Sequence, residues 1–472
     1  MGKLCLASAG QSSPCGGLTA APTIRSELGP TLRLAVPIML GMLGYGLMFV
    51  VDVAMAGHLG ETALAASALA SNLNYIPYVF GIGMVGAISV YQAQDNGAGI
   101  GESAPAILRH GMALALLVSV VAAALSHACV GFLPRLGSSA AVTAEARDFF
   151  VLMSWAMVPG LLFHALRGHR DSQHQPWISL AWLSVGILAN IFFNWLWMFG
   201  HWGCPALGLA GAGWATLAAR LVMLTGLWFT PGRGEVRWAE GFQSAVFRRL
   251  LKTGWPAGLH SLSEVGIFAI VPILAGWISA TAQAAHQVAI STASAAFMLP
   301  LGLGIAAGIR VGEAYGAKDP RKVQAVGGGA LLLGGLMMAV YGLAMIVLRP
   351  LLMATYGVAG TETAALASAL LVFAAIWAPF DGVQVVAAYL LRSVNLAAWA
   401  SWSVFLVYWL FCLPLALALA FPAGFKLFGL TVGVWGLGAT GIWISLATGL
   451  ILVSVAMAWR FRRAAQSGVD AL

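Results

Sequence analysis

From residue 34 to residue 459 the chain alternates between long apolar runs and short polar connections. Twelve runs stand out: 34–57, 64–91, 106–131, 149–166, 177–199, 208–229, 250–276, 285–312, 326–349, 363–390, 398–421 and 432–459. A helix needs about 20 predominantly apolar residues to cross the hydrocarbon of a bilayer, and each run supplies about that many. Barrel strands are about half as long and alternate strictly, so the pattern predicts helices. Frequent Gly and other small residues within the runs suit close helix–helix contact in lipid.

The polar connections fix a direction. If the amino terminus is cytoplasmic, 19 of the 24 Lys and Arg fall on the inside. They are Lys3, Arg25, Arg33, Arg109, Arg167, Arg170, Arg233, Arg237, Arg248, Arg249, Lys252, Arg310, Lys318, Arg321, Lys322, Arg392, Arg460, Arg462 and Arg463. Four fall outside (Arg135, Arg147, Arg349 and Lys426), and Arg220 lies within a run. This asymmetry follows the positive-inside rule and supports an even number of spans with both termini cytoplasmic.

Composition agrees. The 472 residues are 60% hydrophobic and 8% charged, against about 25% charged in an ordinary globular protein. No soluble core hides so much apolar surface, so the lipid bilayer is the expected surrounding. The formal charge of +8 sits in loops and is a matter of topology, so no nucleic-acid partner is expected. Cys5, Cys15, Cys129, Cys204 and Cys412 have no metal-ligand spacing and no disulfide framework. The first 31 residues lack the basic start and apolar core of a signal peptide and read as a disordered cytoplasmic tail.

The chain also repeats itself. An ungapped shift of 219 residues aligns Pro37 with Pro256, Phe49 with Phe268, Gly57 with Gly276, Gly83 with Gly302 and Gly97 with Gly316, with 16 identities over positions 32 to 98. Registered helix breakers point to a duplication. Six spans per half is an even number, so the halves run the same way and are related by an axis along the membrane normal. The expected organisation is a tail (1–31), an N-lobe (32–229), a cytoplasmic linker (230–249), a C-lobe (250–459) and a cytoplasmic tail (460–472). Parallel repeats of this kind belong to secondary transporters with the substrate between the lobes. No phosphate-binding loop motif and no catalytic His/Cys/acid cluster are present, so neither ATP nor enzyme chemistry is expected.

Of the sixteen acids, Asp52, Glu264 and Asp381 lie well inside predicted spans, with Asp95 and Glu313 near span ends. A carboxylate at the bilayer centre costs at least about 2.5–3.5 kcal/mol, which marks these three as functional candidates rather than packing residues. Asn190 and Asn194 are four apart, on one helix face. With Thr216 on the next span they offer the neutral oxygens a hard cation prefers, although interhelical hydrogen bonding would use the same residues. His260 precedes Glu264 by one turn, placed to relay a proton or to form a static hydrogen bond. Arg220 is a counter-ion to one acid cluster or snorkels to the cytoplasmic face, and snorkelling is the favoured expectation. Most of the 18 Trp belong to interfacial belts.

Several stretches resemble one known family. Span one, "AVPIMLGMLGYGLMFVVDVAMAGHLG", is similar to the opening of multidrug and toxic compound extrusion (MATE) transporters. Span seven, "GWPAGLHSLSEVGIFA", has Gly254, Pro256 and Glu264 spaced as in the NorM branch. Span eight, "AAHQVAISTASAAFMLPLGLGIAAGIRVGEAYGAKDP", is the most specific match, and span ten, "FDGVQVVAAYLLRS", supplies Asp381. The resemblance, from about residue 32 to 459, implies an all-α protein of twelve transmembrane helices in two six-helix lobes related by a pseudo-twofold along the membrane normal. It implies secondary active multidrug efflux antiport, exporting hydrophobic cationic compounds in exchange for Na⁺ or H⁺, with Na⁺ favoured.

On this resemblance Asp52, Glu264 and Asp381 match the coupling acids, and Asn190, Asn194 and Thr216 match the polar partners of the N-lobe acid. The segment "LRGHRDSQHQP" departs from the family by carrying His and Gln where Gly and Thr are usual. The expected setting is a monomer in the inner membrane of a bacterium, with no cofactor and no metal beyond transported Na⁺. Export of one endogenous metabolite and flipping of a lipid-linked polysaccharide are the alternatives. The intramembrane charges are mainly acidic, which suits cations better than a pyrophosphate headgroup.

Overall fold

The computed structural model describes residues 22–136, 139–231, 241–427 and 429–467. Among them are twelve helices long and apolar enough to cross a membrane. They are α1 (Ile24–Gly57), α2 (Glu61–Gly97), α3 (Ala104–Arg135), α4 (Ala140–Ser172), α5 (Pro176–Met198) and α6 (Gly208–Phe229), then α7 (Ser244–Ile278), α8 (Ala280–Gly316), α9 (Pro320–Val347), α10 (Glu362–Ser393), α11 (Ala397–Ala420) and α12 (Ala439–Gln466). The first six form one lobe and the last six the other.

Local chemistry sets the ends. Thr23 and Ser26 form a reciprocal capping box at the start of α1. The side chains of Ser139, Ser279, Asp319 and Thr361 accept backbone N–H groups at the starts of α4, α8, α9 and α10, satisfying donors that have no partner within the helix. These caps lie outside the apolar runs, so the helices outreach them. The N-terminal tail therefore does not extend to residue 31: residues 24–31 are the first turns of α1. Residues 244–249 of the expected linker open α7, and residues 460–466 of the expected C-terminal tail continue α12. Residues 1–21, 232–240 and 468–472, on which the remaining tail and linker expectations fall, lie outside the described residues.

The lobes meet in a way that displays the duplication. Gly97 packs against the carbonyl of Glu313, and Gly316 against the carbonyl of Gln94. Adding 219 to 94 and 97 gives 313 and 316, so the two contacts are one contact made twice. Likewise Gly83 packs on Gly258 and Gly302 on Met39, and 83 and 39 plus 219 give 302 and 258. Gly312 meets Ala93, its own equivalent. Reciprocal contact of this kind is what a two-fold axis produces, and the axis passes between Ala93 and Gly312. At each close approach the backbones touch because no Cβ intervenes.

These contacts hold the lobes together at the end of the molecule that carries the basic loops. Leu34, Ala35, Ile38 and Ala93 of the N-lobe complete the C-lobe core, and Leu250 of α7 enters the N-lobe core. Arg249 of α7 pairs with Asp95 of α2 at 2.7 Å, and Arg310 of α8 with Glu27 of α1. Towards the other end of α1, Leu47, Phe49 and Val50 are exposed.

Candidate functional site

The N-lobe site is a chain of side chains running across three helices. Asn194 of α5 donates through Nδ2 to Asp52 Oδ1 of α1 at 2.7 Å and reaches Asn190 Oδ1 at 3.2 Å. Asn190 in turn points its Nδ2 at Thr216 Oγ1 of α6, at 3.5 Å. Asn190, Asn194 and Thr216 are buried. The four residues singled out in the sequence are thus brought together, and α5 places its two amides on one face by their spacing of four. Asn194 Oδ1 is buried without a hydrogen-bond partner. An acceptor left open beside a carboxylate in hydrocarbon is costly in isolation, and a bound cation or water would satisfy it.

Below this chain, towards the basic end, lies a cluster that the sequence did not disclose. Tyr45 of α1 stacks on His164 of α4 with centroids 5.2 Å apart, and Tyr78 of α2 meets the same ring edge-on. The Arg167 guanidinium lies over Tyr45 and that of Arg220 over Tyr78, at 5.6 and 4.7 Å. Arg167 is paired with Asp171 at 3.3 Å, both buried. Arg220 does not snorkel. Its Nη1 donates to the Ala156 carbonyl at 2.9 Å, in the middle of α4, so the charge is held within the lobe by a backbone acceptor and an aromatic face. Spacing in one helix cannot reveal a partner on another, which is why this environment was missed.

The C-lobe site gathers Glu264 of α7 and Asp381 of α10, two carboxylates close enough to interact electrostatically. His260 lies one turn before Glu264, with Nε2 3.8 Å from Oε2. That separation is too long for a hydrogen bond, so the pair is adjacent but not bonded. The Glu264 side chain is 17% accessible and that of His260 3%, so the acid is the more accessible of the two. Beside them the Gln384 amide lies next to the Glu264 carboxylate, and the Tyr408 hydroxyl is buried without a hydrogen-bond partner. Tyr408 belongs to a π-helical stretch, Leu406–Cys412, inside α11. Such bulges re-aim side chains and occur at functional sites. Here the next residue, Trp409, donates its indole N–H to the Ser263 carbonyl at 3.1 Å, tying the bulge to α7 beside Glu264. The structure does not bring the N-lobe chain and the C-lobe acids into contact; each lobe carries its own polar centre.

Among the described residues no group of three or more His, Cys, Asp or Glu is arranged to hold a metal. The donors are instead carboxylates, amides and hydroxyls, the set that suits a hard monovalent cation or a proton and not a transition metal.

Comparison with known proteins gives a consistent picture. The MatE family model matches residues 37–196 and again 256–418. The two matches begin at Pro37 and Pro256, the prolines that the internal repeat superposes. The chain is 34% identical over 457 residues to the "Probable multidrug resistance protein NorM" of Mesorhizobium japonicum, covering 93% of this chain and 94% of that one. It is 31% identical to the "Multidrug resistance protein NorM" of Vibrio vulnificus, covering 93% and 97%. Among solved structures it resembles a MATE in the bent conformation, with TM-score 0.83, 16% identity and coverage of 95% and 97%. It also resembles a multidrug resistance MATE family transporter in an outward-facing conformation, with TM-score 0.82, 16% identity and coverage of 93% and 95%.

Proposed function

The chain belongs to the MatE family of multi-pass membrane transporters, and from that membership we propose that it is a secondary active multidrug efflux antiporter. It exports hydrophobic cationic compounds in exchange for Na⁺, or H⁺, by rocking the two lobes about the substrate. The observation that carries this reading is the chain Asp52–Asn194–Asn190–Thr216, an intramembrane carboxylate that accepts from an amide whose own oxygen is left open, with a second amide and a hydroxyl next in line. Relatives called multidrug resistance proteins support the substrate class.

The mechanism follows from the cost of charge in lipid. Bare Asp52 favours a hydrated arrangement. With a cation held between its carboxylate, Asn194 Oδ1 and the neighbouring hydroxyl and amide, or with a proton on it, the site is locally neutral and the helices pack around it. A membrane potential contributes ~2.3 kcal/mol per charge per 100 mV to inward cation movement, which drives the change of state. In the C-lobe, Glu264 and Asp381 provide negative charge in a low dielectric, where attraction for a cationic substrate is strongest. His260, one turn before Glu264, is the candidate proton partner. Inner-membrane placement with both termini cytoplasmic follows from the loop charges, and each chain, containing both lobes, works as a monomer without a cofactor.

The test uses protein in vesicles with Na⁺ and pH gradients imposed separately. A fluorescent hydrophobic cation should be driven uphill by one of the two gradients, and Asp381→Asn should abolish most of that movement. Uphill movement of neither this probe nor any related cation under either gradient would contradict the reading.

A further inference from the structure

The two lobes are clasped at the basic end by a pair of equivalent contacts whose chemistry differs. The loops after α4 and α10 are repeat mates: α4 ends at Ser172 and α10 at Ser393, and that offset of 221 carries His174 onto Asn395. Both residues sit in the left-handed region, with φ 58° and 62°, which His and Asn enter more readily than most side chains. This turn aims each at the opposite lobe. Asn395 Oδ1 meets Gln94 of α2, whose Nε2 also donates to the Ser393 carbonyl, at 3.2 and 2.8 Å. His174 Nε2 meets Glu313 Oε1 of α8 at 2.6 Å. Gln94 and Glu313 are themselves equivalent by the 219 shift.

One clasp is therefore amide to amide, and the other is imidazole to carboxylate. We propose that the His174–Glu313 contact is a cytoplasmic proton sensor that holds the lobes shut when His174 is protonated and releases them when it is not. The Gln94–Asn395 clasp closes the same gap with groups that do not titrate. The proposal rests on the lobe-rocking reading above, and on neither the coupling ion nor the drug.

The charges facing His174 are Glu313 of α8, Arg310 one turn earlier on that helix, and Lys322 in the first turn of α9. Arg310 is occupied by Glu27, and on its own segment Asp171 is occupied by Arg167. The Glu313 carboxylate dominates and raises the His174 pKa above its ordinary value of 6.5. Separation of the lobes removes that partner and lets the pKa fall back. Protons are thus bound more tightly by the closed form, so closure is favoured at acidic pH and lost as pH rises through the raised pKa. The His174 side chain is 55% exposed, so solvent screening keeps the effect to about two- to fivefold in the closed-to-open ratio.

The experiment places spin labels on Ile100 and Arg321, exposed residues at the same end of opposite lobes. It uses the full chain in lipid nanodiscs with its native cysteines replaced. Between pH 6 and pH 9 the short-distance population of the parent should fall relative to the long one by about two- to fivefold, whereas His174→Asn and Glu313→Gln should give pH-independent ratios. Titration of the labelled His174 imidazole by nuclear magnetic resonance should show a lower pKa in Glu313→Gln. A parent ratio that does not change with pH, a His174→Asn protein that keeps the parent's response, or a His174 pKa unmoved by Glu313→Gln would each overturn the proposal. None of these readings needs drug transport, so failure of the efflux reading leaves them intact.

Discussion

The shortest side-chain hydrogen bond to Asp52 comes from the Asn194 amide, at 2.7 Å, with Asn190 next to it on the same helix face. Hydrogen bonds to charged groups contribute about 1.5–3 kcal/mol. Asn194→Leu removes both that donor and the open Oδ1, and should raise the ion concentration for half-maximal efflux at least tenfold in vesicles. An unchanged ion dependence would remove Asn194 from the site. Arg167 and Asp171 form a buried ion pair, and stranding one partner costs about 3–5 kcal/mol. Asp171→Ala should therefore lower thermal stability in detergent markedly, where Asp319→Ala, at a half-buried helix cap, should cost only about 1 kcal/mol. Equal losses would show that the pair contributes nothing. At this scale the sequence was informative where one helix holds the pattern, as with Asn190 and Asn194. That these two and Thr216 lie beside Asp52 rested on resemblance, because three different helices are involved. The Tyr45–His164–Arg167 and Tyr78–Arg220 contacts join different helices and leave no mark in local spacing. Hydropathy counts Arg220 as a foreign charge in span six and gives no hint of the Ala156 carbonyl that receives it.

At the level of elements, hydropathy located all twelve spans but cut several short. The run read as 149–166 is the helix Ala140–Ser172. Its outer turns carry Arg147, Asp148, Arg170 and Asp171, which lower the hydropathy without breaking the helix, and the Ser139 cap lies beyond them. The π-helical turn in α11 was likewise invisible, because "LVYWLFC" reads as an ordinary apolar stretch. The paired glycines were legible as repeat positions but not as contacts. They yield a prediction. A Cβ at Gly97 would collide with the Glu313 backbone, and one at Gly316 with the Gln94 backbone, neither of which moves as a flexible side chain would. Gly97→Ala and Gly316→Ala should each destabilise the protein by about 1–3 kcal/mol and favour separation of the lobes at the basic end. Gly46→Ala, with open space around its Cβ, should be nearly neutral. Thermal unfolding of the three variants in nanodiscs checks this, and indistinguishable melting would mean that the glycine contacts do not hold the lobes.

The whole molecule is a duplicated six-helix unit closed on itself about an axis between Ala93 and Gly312. The repeat was readable from the first helices of each half because the breakers Pro37/Pro256 and Gly97/Gly316 stayed in register. The later helices have diverged to an offset of 221, as the loop pair His174 and Asn395 illustrates. Divergence is also what gives the lobes different chemistry, amides around one acid in the first and two acids in the second. If that asymmetry separates ion coupling from substrate attraction, altering Asp52 and altering Asp381 should fail differently. Asp381→Asn should lose affinity for the cationic probe, whereas Asp52→Asn should keep probe binding and lose the link to the gradient. The most direct measurement is uphill transport by Asp52→Asn in vesicles with a fixed probe gradient and a variable Na⁺ or pH gradient. The account predicts that probe movement no longer responds to the ion gradient, leaving only downhill equilibration. Uphill pumping at the parent rate with the parent's ion dependence would make Asp52 a structural residue and contradict it.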